Sequence, residues 1–269
     1  MAQEDTVGIE QVPAIRRVAV DRPWHWLEAG WRDFTRTPAL GLSYGVGFSA
    51  IGCVITYWLY STGTLYLIMP VAAGFALLGP AAAVGLYDIS RRLEAGQPAS
   101  LGAIVPAVLA RADTFAAMGL VLMLFFLAWM EIALLIFALF FGSGPASAEN
   151  FVEQVFFAPE SLPFIVTGTV AGAILAAAVF AISAVSLPLL LDRNVGVPLA
   201  VVTSLRAVNR NRKALALWAT IVAVFFFLGV TTFFAGLVIT LPVIGHATWH
   251  AYRDLVAPGP GTAEPSSSA

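Results

Sequence analysis

Charge is scarce in this 269-residue chain: Asp, Glu, Lys and Arg make up only 11% of it, against about 25% in a soluble globular domain. So few charges cannot cover a water-facing surface, which argues against a soluble enzyme or a nucleic-acid-binding domain. The 14 basic and 16 acidic residues nearly cancel, to a net charge of -2, so no bulk field points to a polyanionic partner. Cysteine is almost missing as well. Cys53 stands alone, which excludes an internal disulfide. Residues 1–39 lack the charged start, apolar core and small-residue cleavage site of a secretory signal. Absent too are a phosphate-cradling glycine loop, a nucleophile elbow, a zinc motif and a pair of catalytic carboxylates. No catalytic residue and no cofactor are expected.

What fills the chain instead is apolar. Hydrophobic residues make up 59% of it and the mean hydropathy is +0.85. Runs such as Met118–Leu127 and Ile221–Val230 say that the solvent is lipid. A span needs about 20 apolar residues to cross about 30 Å of hydrocarbon. Four candidates are plain: residues 40–60, 65–87, 115–141 and 163–191. The uncharged stretch Ala214–Tyr252 is too long for one span, and reads as two helices, 214–230 and 232–252, meeting at a tight turn. A single tilted helix or a re-entrant pair is the alternative.

Charge placement tests this count. With six spans, segments 1–39, 88–114, 192–213 and 253–269 hold every Lys and Arg of the chain. The other side carries only Glu149, Glu153 and Glu160 in its loops. Basic residues mark the cytoplasmic side, so both termini are expected there, in a bacterial inner membrane. The fold class is therefore all-α and polytopic: a single membrane domain over residues 21–256, an N-terminal tail over 1–20, and a disordered C-terminal tail over 257–269.

The basic segments repeat a design. Pro23–Arg36 carries Trp24, Leu27, Trp31 and Phe34 on one helical face. Pro98–Arg111 and Pro198–Arg212 do the same with Leu101, Ile104, Val105, Val108 and Leu109, and with Leu199, Val202, Leu205 and Val208. Each ends in a basic residue and enters a span. Each second span carries proline and exits beside mixed charges: Asp88, Arg91 and Arg92; Asp192 and Arg193; Arg253 and Asp254. Three degenerate repeats are expected, each an interfacial amphipathic helix followed by a two-helix hairpin.

Three motifs then resemble a known family. They are Trp24-His25-Trp26-Leu27-x-x-Gly30-Trp31-x-Asp33-Phe34, the run from Gly74-Phe75 through Leu86-Tyr87-Asp88-Ile89-Ser90-Arg91-Arg92 to Gly96, and Leu241-Pro242-Val243-Ile244-Gly245-His246 through Trp249-His250-Ala251-Tyr252-Arg253. Together they are similar to the proteobacterial predicted integral membrane protein family of unknown function. Some of its members are labelled putative cytochrome c oxidase subunit. The resemblance implies a six-span inner-membrane protein and carries over no catalytic residue. An oxidase core would need more histidine than His25, His246 and His250, and a copper-carrying subunit would need thiolates beyond Cys53. The oxidase label then points to an accessory or assembly protein.

Few residues stand out as sites. Glu131 is the lone charged residue deep inside a span. An intramembrane acid should face protein or water, serving as a proton relay, an ion site or a contact to a partner helix. Its plain alternative is a hydrogen bond to Ser183 or Thr167. His246 and His250, four apart on one helix face, could hold a divalent metal with Asp254, or join Trp249 and Tyr252 in a headgroup-level belt. Trp24, Trp26, Trp31, Arg91, Arg92 and Trp249 are expected at the lipid interface. Gly41-x-x-x-Gly45 and Gly168-x-x-x-Gly172 mark close helix packing. The expected partners are the lipid bilayer and other membrane-protein subunits, with no nucleic acid. The expected role is a non-catalytic accessory or assembly protein, with a small-solute or lipid transporter as the alternative.

Overall fold

The computed structural model describes residues 12–142, 157, 159 and 161–258. Glu149, Glu153, Glu160 and the tail segments 1–11 and 259–269 lie outside the described residues. Within them the chain is helical in three successive parts. The first comprises α1 (Arg22–Arg36), α2 (Pro38–Ser61), α3 (Ile68–Ala82) and α4 (Val84–Glu94). The second comprises α5 (Leu101–Leu109), α6 (Ala112–Phe141), α7 (Ser161–Ser183) and α8 (Ser186–Asp192). The third comprises α9 (Val197–Arg210), α10 (Arg212–Thr231) and α11 (Leu237–Leu255).

A shared corner begins the long helix of each part. Thr37 and Asn211 interrupt the helix for one residue and Ala110–Arg111 for two, with φ/ψ of -129/53 at Thr37, -124/25 at Arg111 and -124/39 at Asn211. The amphipathic helices before the corners pack small and polar residues inward, to which α1 adds Trp26 and Phe34, while α5 buries Ile104. In α9 the buried residues are Ala200, Thr203, Ser204 and Ala207. The bulky stripe looks outward: Trp24 and Trp31 are 54% and 50% exposed, and Leu101, Val105, Leu109, Val202 and Leu205 are exposed likewise. An outward apolar stripe on a short helix suits the bilayer boundary.

Five helical stretches among the described residues are long and apolar enough to cross a membrane: Pro38–Ser61, Leu65–Glu94, Ala112–Phe141, Ser161–Asp192 and Arg212–Thr231. The sixth expected span does not join them on composition. Its helix α11 starts at Leu237 rather than 232, after a turn in which Phe233 and Phe234 take positive φ of 53° and 65°. The Ser49 hydroxyl donates to the Phe234 carbonyl at 2.8 Å, and the Phe234 ring lies on Gly52. The stretch is thus two helices, not one tilted rod. α11 falls short on apolarity because protein, not lipid, surrounds its polar half.

Small residues enclose α11. A Cβ on Gly30 of α1 would sit 2.6 Å from the Ala247 nitrogen and the Val243 carbonyl oxygen. One on Gly41 would meet the Phe34 ring, and one on Gly245 would meet Leu86 of α4. At Gly45 of α2 it would lie 2.7 Å from the Val238 Cα and carbonyl carbon. Pro242 has no N–H to offer the Val238 carbonyl four residues earlier, and the side-chain-free Gly45 backbone closes over that freed group. The Gly41–Gly45 motif is therefore intramolecular packing. In the other motif, Gly172 lies under the Trp129 ring while Gly168 has nothing within 4 Å of a built Cβ.

The second spans of the first two parts are broken, each near a proline. α3 gives way to α4 at Ala83, and α7 to α8 across Ala184–Val185. The Tyr44 hydroxyl donates to the Ala82 carbonyl at the first break. The Ser204 hydroxyl donates to the Ala181 carbonyl at 2.8 Å and accepts from the Val185 N–H at 3.2 Å at the second. Below the breaks, residues Val84–Ser90 and Ser186–Leu191 are buried without exception. They pack with Trp218, Trp249, Tyr252 and Leu255. The core is therefore most continuous at the basic ends of the helices and reaches mid-span through Leu122 and Trp129. Residues 12–18, expected to belong to a tail, are tied to that end. Ile15 bridges Val256, the Arg16 N–H donates to the Leu255 carbonyl at 2.8 Å, and Asn211 accepts from the Val18 N–H and donates to the Arg16 carbonyl, both at 2.9 Å.

Candidate functional site

Two places gather the chemistry: a buried polar chain at the basic end, and one carboxyl on the outside of α6. The first follows from the close crossing of α1 and α11. Because Gly30 lets α1 lie against Ala247, Asp33 arrives one turn later beside His250 and Ser90. Asp33, Ser90 and His246 are all buried, the last two completely. His250 Nε2 lies 2.7 Å from Asp33 Oδ2, and the Ser90 hydroxyl donates to the same oxygen at 2.8 Å. The Ser90 oxygen is also 2.9 Å from His246 Nδ1. Since the serine proton is given to Asp33, we assign the His246 proton to Nδ1, donating to Ser90. His246 Nε2 is buried and makes no hydrogen bond among the described residues. Burial pushes the Asp33 carboxyl up, but hydrogen bonds from His250 and Ser90 outweigh it, so the group is held below the usual carboxylate range.

The arrangement is a chain of proton-sharing groups, His246–Ser90–Asp33–His250. Its half-exposed end, His250, opens on a groove of about 370 Å³ lined by Arg22, His25, Arg32 and Asp254, among others. Chemically it can hold a proton and pass it between that groove and the interior. The serine hydroxyl sits between the Asp33 carboxylate and His246 Nδ1, and links them. Among the described residues no three His, Cys, Asp or Glu are placed to share a metal ion. His246 and His250 serve Ser90 and Asp33. Asp254, expected as a third ligand, is taken by Arg22 at 2.6 Å and by the Trp26 indole N–H at 2.8 Å.

The charge clusters form a lattice around this chain. Asp88 pairs with Arg91 and Arg92 at 2.5 and 2.7 Å, as their three- and four-residue spacing predicts. Arg253 pairs not with its neighbour Asp254 but with Glu94 at 3.0 Å and Asp192 at 3.8 Å. Asp192 also accepts from the Tyr252 hydroxyl at 2.5 Å, and Glu94 from the Trp249 indole at 2.8 Å. Two expected interface aromatics therefore need correcting. Trp26 and Trp249 are 2% and 1% exposed. Their indole N–H groups are spent on internal carboxylates, so burial costs them no hydrogen bond. Trp24 and Trp31 stay outside. His246, whose belt reading placed it at headgroup level, is interior for the same reason. Asp33 and Ser90 escaped sequence reasoning because neither stands in a metal or catalytic spacing. Their presence within two of the family-like motifs was the available signal.

Glu131 sits differently. It is exposed on α6 and lies along a helical stripe with Leu120, Leu124, Leu127, Leu134 and Leu135, all exposed. Among the described residues it has no partner. The alternative of a hydrogen bond to Ser183 is not realised, since that hydroxyl donates to the Val179 carbonyl at 2.6 Å.

With the geometry in view, comparison with known proteins adds one finding. Residues 67–192 match the family model described as predicted integral membrane protein (DUF2189), the family of unknown function that the motifs resemble. The match takes in the motif over 74–96 and both broken helices; the motifs at 24–34 and 241–253 lie outside it. No curated protein and no solved structure matches the chain.

Proposed function

We propose that this chain, which carries the predicted integral membrane protein segment between residues 67 and 192, is a non-catalytic accessory or assembly protein of a larger membrane complex. In this reading it crosses a bacterial inner membrane six times, with α11 as the last crossing and both termini cytoplasmic. α11 has 19 residues, which gives about 28 Å, close to the hydrocarbon thickness. A respiratory oxidase is the first complex to test.

The observation that carries the reading is Glu131 on the outer face of α6. A carboxylate facing lipid near mid-membrane costs about 2.5–3.5 kcal/mol on insertion scales. A partner helix offering a hydroxyl, amide or basic group in register would remove that cost and be selected by it. The surrounding leucine stripe supplies the shape for such a helix. The transporter reading rests on the paired breaks, a device of transporters whose freed backbone groups bind the solute. Here the carbonyls at both breaks are already engaged by Tyr44 and Ser204, which favours the accessory role.

The test is affinity purification of the tagged chain in a mild detergent. Membrane-protein subunits that co-purify with the wild type and are lost in both Glu131→Gln and Glu131→Leu, with the variants still monodisperse, support the proposal. A chain that purifies alone and moves solute across liposomes refutes it.

A further inference from the structure

A second groove at the basic end, of about 520 Å³, lies between residues 12–17 and α9. Its lining includes Arg17, Arg206, Asn209 and Arg210, and no acidic residue. Elsewhere at this end Arg22, Arg91, Arg92, Arg193 and Arg253 are all paired with carboxylates. Among the described residues, Arg17, Arg206 and Arg210 have neither an ion pair nor a side-chain hydrogen bond. Three guanidinium groups thus converge on one hollow without a counter-charge among the described residues. Their positions are fixed from both sides: Asn211 pins the backbone at Arg16 and Val18, and Arg206 and Arg210 stand one turn apart on α9.

Guanidinium forks recognise tetrahedral oxyanions, phosphate above all, through paired N–H donors. The immediate surroundings narrow the source. Val202 and Leu205, on the same helix and adjoining Arg206, are exposed. A cationic hollow beside an outward apolar stripe suits a molecule with a phosphate at one end and hydrocarbon at the other. We propose that Arg17, Arg206 and Arg210 form a binding site for the phosphate headgroup of an anionic phospholipid, whose chains run along the Val202–Leu205 stripe.

The experiment uses the full chain purified in a mild detergent, with lipid adducts counted by native mass spectrometry. Phosphatidylglycerol, phosphatidylcholine and inorganic phosphate are the three probes. The wild type retains phosphatidylglycerol over phosphatidylcholine, and millimolar inorganic phosphate does not displace it. Each arginine changed to glutamine lowers retention roughly fivefold, the weight of one basic side chain at an anionic surface. Arg36→Gln, which removes another exposed arginine without a carboxylate partner, leaves retention unchanged. The three side chains are exposed, so the variant with all three changed should melt with the wild type; if it melts early, Arg206→Gln alone carries the test. Undiminished retention in the variants, or equal loss in the Arg36 control, overturns the site. Displacement by inorganic phosphate at matched concentration overturns the lipid and assigns a soluble phosphate in its place.

Discussion

Replacing Gly45 with alanine tests the enclosure of α11 more sharply than any truncation, because Gly47, two residues along the same helix, supplies its control. A Cβ on Gly47 meets nothing within 4 Å, whereas one on Gly45 lies 2.7 Å from the Val238 Cα and carbonyl carbon. Carbon atoms at rest stay about 3.5–4.0 Å apart, so α2 and α11 must separate by roughly 1 Å or bend. Overpacking of this kind costs about 1–3 kcal/mol. Both substitutions also gain helix propensity, about 0.8–1.0 kcal/mol for alanine over glycine. Gly47→Ala therefore raises stability, while Gly45→Ala falls below it by the overpacking cost alone. At about 2–4 °C per kcal/mol for a chain of this size, the two melting points separate by roughly 2–12 °C. Tryptophan fluorescence during thermal unfolding in detergent reads this directly, since Trp218 and Trp249 lie in the core. If Gly45→Ala melts with Gly47→Ala, the α2–α11 contact is absent and the enclosure of the last helix is wrong.

Other expectations follow from the basic end. Asp33 is held below its ordinary pKa of 3.8, so the stability its carboxylate contributes is full above about pH 4 and drains away as pH falls through the folded value. Melting curves between pH 3 and 7 should show that acid loss in the wild type and a shallower one in Asp33→Asn; equal slopes would refute the pairing with His250 and Ser90. Trp218, buried against Trp26 with ring centroids 5.8 Å apart, should cost about 3–5 kcal/mol when changed to alanine, read as a collapse in monodisperse yield that Trp218→Phe partly restores. Asn211→Ala removes the side chain that pins residues 16–18, so trypsin should cut after Arg16 and Arg17 several-fold faster than in the wild type, with the rest of the digest unchanged. A reporter fused after Ala269 should be active only on the cytoplasmic side, and activity only in the periplasm would end the six-span topology.

Much of the layout could be read from the chain because lipid enforces it. Apolar length located the five candidate spans to within a few residues at most ends, and the recurring proline-led amphipathic segments lie just before the corners at Thr37, Arg111 and Asn211. Single-helix patterns carry such information; contacts between distant segments do not. Trp26, His246 and Trp249 have the same amphipathic character whether they meet headgroups or Asp254, Ser90 and Glu94. Only the crossing of α1 over α11, permitted by Gly30, decides between those environments. The same reason hid the polar chain, since Asp33 and His250 are more than two hundred positions apart in sequence. It also kept α11 from resembling the five long apolar stretches, because a helix shielded by protein need not be uniformly apolar.

That shielding has a consequence for biogenesis. A ribosome delivers α1 and α2 long before α11, yet these are the helices whose glycines are shaped to receive it. Until roughly two hundred further residues have been made and inserted, Asp33 and the faces around Gly30, Gly41 and Gly45 wait without their partner. Contacts of such wide sequence separation form slowly. During that interval the half-made protein leaves exposed the helix-binding faces and the unpaired carboxylate that α11 later covers, and arrival of α11 closes the groove.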